Sequence, residues 1–259
     1  MCHDPDSRPP EPPSDLHRAG RTAETSPEPG RLELASPDGT RLRAFAARPA
    51  EPVGAGVVIL PDIRGLTGFY EELARGFAAA GIDAVAIDYF GRQNGARTPP
   101  PGFDPMVAFA SVTADQVSLY AAAAAAYLRT AGPAVDRVFT VGFCAGGRIA
   151  YLNATADSPI RAAGTVAFYG VLRPWHPGMP SPVDLADSLR GPILGLFGGA
   201  DEVVPVEQVD AFDQALASAG VDHEFVVYPG ATHGFFDPSS ERFRAASEDA
   251  WRRVIQFIS

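Results

Sequence analysis

From Arg31 onward, short runs rich in β-branched and aromatic residues alternate with longer stretches whose apolar positions recur at helical spacing. Ala55–Leu60 and Arg137–Val141 read as buried strands, and Ala84–Ile87, Ala163–Phe168, Pro192–Phe197 and Glu224–Tyr228 as strands. Ahead of them, Arg31–Ala35 and Arg41–Arg48 flank Ser-Pro-Asp-Gly-Thr, a turn between two further strands. Helices are predicted over Glu71–Ala80, Met106–Thr130, Arg148–Ala154, Glu207–Ala219 and Glu241–Ile258. The first and fourth stop at Gly81 and Gly220, as helices commonly do. Strand and helix alternating in this way imply parallel βαβ units. The expected fold class is α/β, with one mostly parallel central sheet covered by helices on both faces. No internal repeat and no second domain is read.

Residues 1–30 lack this pattern. They hold seven prolines and scattered charges, with almost no large apolar group. Such a segment buries too little surface to offset its ordering entropy, so it is expected to be a disordered tail. The folded domain is expected over residues 31–259.

Charge and composition narrow the function. The formal net charge of −10 argues against a nucleic-acid backbone or an anionic membrane as the main partner. It leaves room for a small anionic substrate, because one local arginine can dominate a pocket. The first 30 residues contain no apolar signal core, and the longest apolar run, Val117–Tyr127, is too short to span a bilayer. A cytoplasmic protein is expected. Of the two cysteines, Cys2 sits in the tail and Cys144 in a glycine-rich turn. A disulfide between them would tie the tail to the core and is not expected. A lone core cysteine with histidine and aspartate elsewhere is a candidate nucleophile.

In parallel α/β sheets the chemistry gathers beyond the carboxyl ends of the strands. The strand at Arg137–Val141 runs into Gly142-Phe143-Cys144-Ala145-Gly146-Gly147, a strand–turn–helix sequence of the form G-x-nucleophile-x-G. Such a turn is sharp, and bulky side chains at its glycines would collide with neighbouring backbone. The helix that follows offers free N–H groups and a positive dipole end, which favour a thiolate and an oxyanion. The N–H of Ala145, directly after the cysteine, is the natural oxyanion donor.

A nucleophile needs a base, and the base needs an orienting acid. Asp201 follows the strand Ile193–Phe197, and His233 follows Glu224–Tyr228. Both stand on post-strand loops, in the order nucleophile, acid, histidine that this kind of sheet uses. Taken singly, each has a plain structural reading: Cys144 as a small buried hydrophobe, Asp201 as a turn former, His233 as a loop histidine. Glu202 competes for the acid role. The other histidines are placed less suitably: His3 and His17 in the tail, His176 in a Trp-His-Pro loop, and His223 at the exposed start of a strand.

The stretches Gly142–Gly147, Gly198-Gly199-Ala200-Asp201 and Thr232-His233-Gly234-Phe235 resemble the signature segments of the dienelactone hydrolase family. The resemblance covers about residues 31–259. It implies a single-domain α/β-hydrolase and hydrolysis of an enol lactone through a Cys-His-Asp triad. Leu60-Pro61-Asp62-Ile63-Arg64-Gly65-Leu66 is similar to the family stretch that supplies a second oxyanion N–H, here that of Ile63. The same stretch usually carries a glutamate that touches the resting thiol; here Asp62 stands in its place, with a shorter arm. Asp88-Tyr89-Phe90-Gly91-Arg92 matches where the family places an arginine on the substrate carboxylate, which implies that role for Arg92. One departure is Asp237, where the type enzyme has a second substrate-binding arginine. Phe143, Tyr89, Phe90, Tyr169, Phe235 and Phe236 suit either an apolar pocket or the core.

The expected activity is therefore cleavage of a small ester or enol lactone by Cys144, His233 and Asp201. The alternatives are a thioesterase or general carboxylesterase of the same fold, or a non-catalytic ligand-binding protein on this scaffold. No cofactor and no metal are implied, since no dinucleotide or phosphate-loop motif occurs. The expected partner is a small-molecule ester or lactone, and the expected state is a monomer or homodimer.

Overall fold

The computed structural model describes residues 7–17, 30–130, 135–174, 180–237 and 241–259. Among the described residues eight strands form one sheet: β1 (Gly30–Ala35), β2 (Arg41–Ala47), β3 (Ala55–Leu60), β4 (Asp83–Ile87), β5 (Arg137–Phe143), β6 (Gly164–Phe168), β7 (Ile193–Gly198) and β8 (His223–Tyr228). Their order across the sheet is β1-β2-β4-β3-β5-β6-β7-β8. The β1–β2 hairpin joins antiparallel to β4, and every other pair is parallel. Central β3 is buried along its whole length, which its unbroken apolar sequence demands. Edge strand β8 is only partly buried.

Seven α-helices accompany the sheet among the described residues: α1 (Gly68–Ala79), α2 (Gly91–Asn94), α3 (Pro105–Phe109), α4 (Ala114–Thr130), α5 (Ala145–Leu152), α6 (Val206–Ser218) and α7 (Arg244–Ile258). The chain steps one way from β3 to β4 and the other way from β4 through β5 to β8. Right-handed crossovers then put α1 on one face and α4, α5 and α6 on the other. Ring contacts agree: Phe77 of α1 meets Trp251 of α7 at 4.9 Å, and Tyr151 of α5 meets Phe212 of α6 at 5.1 Å.

Three expectations need correction. The predicted helix Met106–Thr130 is two helices. The Asp104 carboxylate accepts from the Met106 and Val107 N–H groups, capping α3. Thr113 Oγ1 accepts from Gln116 N–H at 3.2 Å, capping α4. His223 does open β8, but its ring is largely covered: Nδ1–H donates to Val221 O at 2.7 Å, and Nε2 lies 3.2 Å from the Asp213 carboxyl. The expected disorder of residues 1–30 does not describe residues 7–17: Pro9 and Pro12 are buried, and Trp251 Nε1 donates to the Pro10 carbonyl at 2.8 Å. Residues 1–6 and 18–29, with Cys2, and residues 175–179, with His176, lie outside the described residues. Cys144 is buried and forms no disulfide among the described residues.

Candidate active site

β5 delivers the chain to Cys144 with φ 53° and ψ −109°. A non-glycine residue held there stores of order 1–3 kcal/mol of strain, which the surroundings must impose. They do so through hydrogen bonds. Cys144 N–H donates to Phe168 O at 3.0 Å, and its carbonyl accepts from Arg148 N–H at 3.0 Å and Val171 N–H at 3.2 Å. The two glycines flanking the turn are required by close approach: a Cβ at Gly142 would overlap the Gly146 carbonyl, and one at Gly146 would overlap the carbonyls of Leu60 and Pro61. Ala145 begins α5, so its N–H belongs to the unsatisfied first turn of that helix.

Beyond β7, Asp201 is fixed from both sides. Its Oδ1 accepts from the N–H groups of Val203 (2.8 Å) and Val204 (3.0 Å), and its Oδ2 meets His233 Nδ1 at 2.8 Å. Both side chains are buried, at 5% exposure for His233 and 0% for Asp201. A side chain already accepting from two backbone donors orients the imidazole with Nδ1 toward Asp201 and Nε2 on the other side of the ring. Glu202, the rival acid, is exposed to solvent.

Between these loops, beyond β6, stands Tyr169, itself at φ 39°. Its ring lies 4.9 Å from the His233 imidazole and 6.2 Å from Phe143, the neighbour of Cys144. The loops after β5, β6, β7 and β8 thus converge. The aromatic residues left open between pocket and core belong to a buried cluster: Phe143 stacks on Phe168 at 4.6 Å, and Phe168 meets Phe236 at 4.5 Å.

The loop after β3 closes the other side. Asp62 is buried, and its Oδ1 accepts from Arg64 N–H at 2.8 Å while its carbonyl accepts from Gly65 N–H at 3.1 Å. Half-buried Ile63 lies inside this turn. Tyr89, after β4, donates its hydroxyl to Pro61 O at 2.5 Å. Burial, and then negative charge at Asp62, Cys144 and Asp88, push its phenol well above the usual range, so Tyr89 remains a donor. Asp62, Cys144 and Tyr89 therefore share one electrostatic neighbourhood.

A brace behind this loop had no signal in the sequence. Asp88 accepts from Arg43 Nε at 2.9 Å, from Tyr89 N–H at 2.9 Å and from Leu66 N–H at 3.3 Å, while Arg43 also donates to Leu66 O at 3.3 Å. The pair is nearly solvent-free, with exposures of 14% and 2%. Arg43 comes from β2, and no local pattern announces a partner 45 residues away. A second brace is Arg148 on α5, buried, donating to Arg173 O at 3.0 Å and Pro180 O at 2.5 Å. Arg92 differs from these: it is half-exposed on α2 and pairs with Asp38 of the β1–β2 turn at 3.0 Å. Hydrogen bonds from Ser36, then Thr40, then Arg92 hold the Asp38 carboxyl far below the usual carboxylate range.

A mostly parallel eight-stranded sheet with a strained turn after a central strand and an acid–histidine pair on the following loops has the form of an α/β-hydrolase. The structure superposes on the crystal structure of a "Putative Dienelactone Hydrolase" from Klebsiella pneumoniae with TM-score 0.76 and 29% identity, covering 89% of this chain and 98% of that one. The sequence profile of the dienelactone hydrolase family matches residues 42–259. The chain is 34% identical over 228 residues to an Escherichia coli K12 protein named "Putative carboxymethylenebutenolidase", covering 85% of this chain and 83% of that one. A Methylorubrum extorquens protein of the same name is 34% identical over 232 residues, covering 87% and 78%. The chain belongs to the dienelactone hydrolase family and is a hydrolase of α/β-hydrolase fold. No helix among the described residues is long and apolar enough to cross a membrane.

Proposed function

We propose that this protein hydrolyses a small carboxylic ester or enol lactone through an acyl-enzyme on Cys144, with His233 as base and acid and Asp201 as its orienting group. The observation that carries the reading is the 2.8 Å contact between Asp201 and His233 Nδ1, with Asp201 already held by two backbone N–H groups. A histidine held through Nδ1 in this way has Nε2 as its working atom. The strained φ of Cys144 at the head of α5 supports it as the nucleophile.

In the proposed reaction, His233 Nε2 takes the thiol proton and the Cys144 sulfur attacks the carbonyl carbon. The N–H groups of Ala145 and Ile63 donate to the oxyanion. The carbonyl re-forms as the C–O bond breaks, and the leaving oxygen takes the proton from His233. Water, deprotonated by His233, then attacks the thioester and releases the acid and the thiol. Thiolate is itself a good leaving group, so the intermediate partitions forward only when the departing oxygen is well stabilised. That favours enolates and aryl oxides over simple alkoxides and amides. Asp62 is proposed to bear on the resting thiol, and its backbone turn presents Ile63. Arg92 is the proposed anchor for a substrate carboxylate, which would displace Asp38 from it. A reducing, cytoplasmic setting suits a thiol nucleophile.

The test is steady-state hydrolysis of an enol lactone with and without a carboxylate, p-nitrophenyl acetate and an acyl-CoA, by wild type, Cys144→Ala and Arg92→Ala. The expected result is turnover of the lactones that vanishes in Cys144→Ala, with Arg92→Ala raising KM for the carboxylated lactone alone. Turnover that survives Cys144→Ala overturns the nucleophile. Turnover confined to acyl-CoA makes the protein a thioesterase, and none on any substrate makes it a binding protein.

A further inference from the structure

Along residues 9–14, burial repeats every three positions. Pro9 and Pro12 are buried, Pro10 and Pro13 half-buried, Glu11 and Ser14 exposed. A period of three is that of the polyproline II helix. Pro13, at φ −49° and ψ 137°, has that conformation, and Leu16 N–H then donates to Pro13 O at 2.8 Å to end the segment in a single tight turn.

The seat for this segment is the groove between α1 and α7. Its floor is Trp251, set edge-on to Phe77 at 4.9 Å. Trp251 Nε1 donates to the Pro10 carbonyl at 2.8 Å. A Cβ at Gly76 would lie 3.3 Å from Trp251 Cζ2 and 3.5 Å from Pro12 Cδ. Glycine disfavours a helix interior, and its presence in α1 leaves room for both rings. At the end of the segment Arg252 forms a two-pronged pair with Asp15, and Leu16 packs on the main core. Two buried prolines at i and i+3, with an indole N–H on the intervening carbonyl, match the recognition of extended proline-rich segments by aromatic-lined grooves.

The other side of the seat faces the active site. Trp251 lies 5.6 Å from Phe236, and Ser247 Oγ of α7 donates to Phe235 O at 3.2 Å. Both phenylalanines closely follow His233. The family match begins at residue 42, so the segment lies outside it.

We propose that residues 7–17 are a polyproline latch: the α1–α7 groove is a binding site for an extended proline-rich segment, filled by the chain's own arm, and its occupancy sets the position of the His233 loop. The kinetic half of this proposal rests on Cys144 and His233 working together; the binding half does not.

The test uses the full chain carrying Cys2→Ser and Trp175→Phe, so that Cys144 is its one thiol and Trp251 its one indole. Into this reference go Pro9→Asp and Pro12→Asp, which put carboxylates in the two buried positions and unseat the arm. The expected result is a red shift of Trp251 emission and a fall of about threefold or more in the rate of Cys144 alkylation by iodoacetamide. A synthetic peptide of residues 7–17, added in trans, restores both saturably. Absence of a saturable emission change overturns the groove as a binding site. Restored emission with an unmoved alkylation rate reduces the arm to packing and also overturns the latch. A second pair, Arg252→Glu and then Arg252→Glu with Asp15→Arg, reverses exposed charges without touching the core; loss followed by recovery of both signals is expected. A reference chain with an unreactive Cys144 would sink the proposed reaction, while the peptide titration would still decide the groove.

Discussion

Asp201→Asn isolates the acid without changing its shape. The asparagine Oδ1 can keep the two backbone donors from Val203 and Val204. Its amide then turns Nδ2 toward His233 Nδ1, where Asp201 Oδ2 now sits at 2.8 Å. A donor facing that nitrogen forces it to accept, which moves the ring proton to Nε2, the atom that should take the proton of Cys144. Loss of the charged hydrogen bond alone is worth about 1.5–3 kcal/mol, or roughly 10- to 150-fold. In serine triads the wrong tautomer raises the loss to about 10⁴. The expected fall in kcat/KM is therefore about 10² to 10⁴, with Tm lowered by only a few degrees because the loop keeps its backbone bonds. The assay is kcat/KM on an aryl ester at fixed pH, with Glu202→Gln as the control. An Asp201→Asn enzyme within about threefold of wild type would remove Asp201 from the reaction.

Other outcomes follow from the same geometry. Gly146→Ala drives a methyl group into the carbonyls of Leu60 and Pro61; it should cost about 2–3 kcal/mol and most of the activity, seen as a fall in Tm of about 4–10 °C. Arg43→Met leaves Asp88 buried without its guanidinium; about 3–5 kcal/mol of stability should be lost in chemical denaturation, with kcat falling more than KM as the Ile63 loop loosens. Asp83, facing Arg48 at 3.5 Å in the interior, has its carboxyl raised above the usual value, mainly by burial. The folded state then holds this proton more tightly than the unfolded state, so stability falls as pH rises from the ordinary carboxylate range through the raised folded value. Asp83→Asn should lack that decline, and urea midpoints of both proteins measured across this window should diverge as pH rises.

How much of this was legible depends on how local each signal is. The strands of the sheet centre are short unbroken apolar runs, so Ala55–Leu60 and its neighbours stand out without any structure. The turn at Cys144 is legible because its glycines answer to backbone contacts within a few residues and to one adjacent strand. Asp201 and His233 are found by their place after strands, and the structure joins them by a bond that no spacing rule contains. The break in the predicted helix at Met106–Thr130 was hidden by its alanine content, although Asp104 and Thr113 are good capping residues. The brace between Arg43 and Asp88 links distant strands and leaves no periodic trace. The arm is an instructive miss: its low apolar content suggests disorder, yet Pro9-x-x-Pro12 has the period of a helix that needs no internal hydrogen bonds and buries one proline per turn.

Arg148 holds the loop after β6 through the carbonyls of Arg173 and Pro180, atoms that every amino acid possesses. Those two contacts are therefore indifferent to which side chains stand at positions 173 and 180. Substitutions there can change what the loop presents while its backbone stays tied to α5, the helix that carries Cys144 at its head.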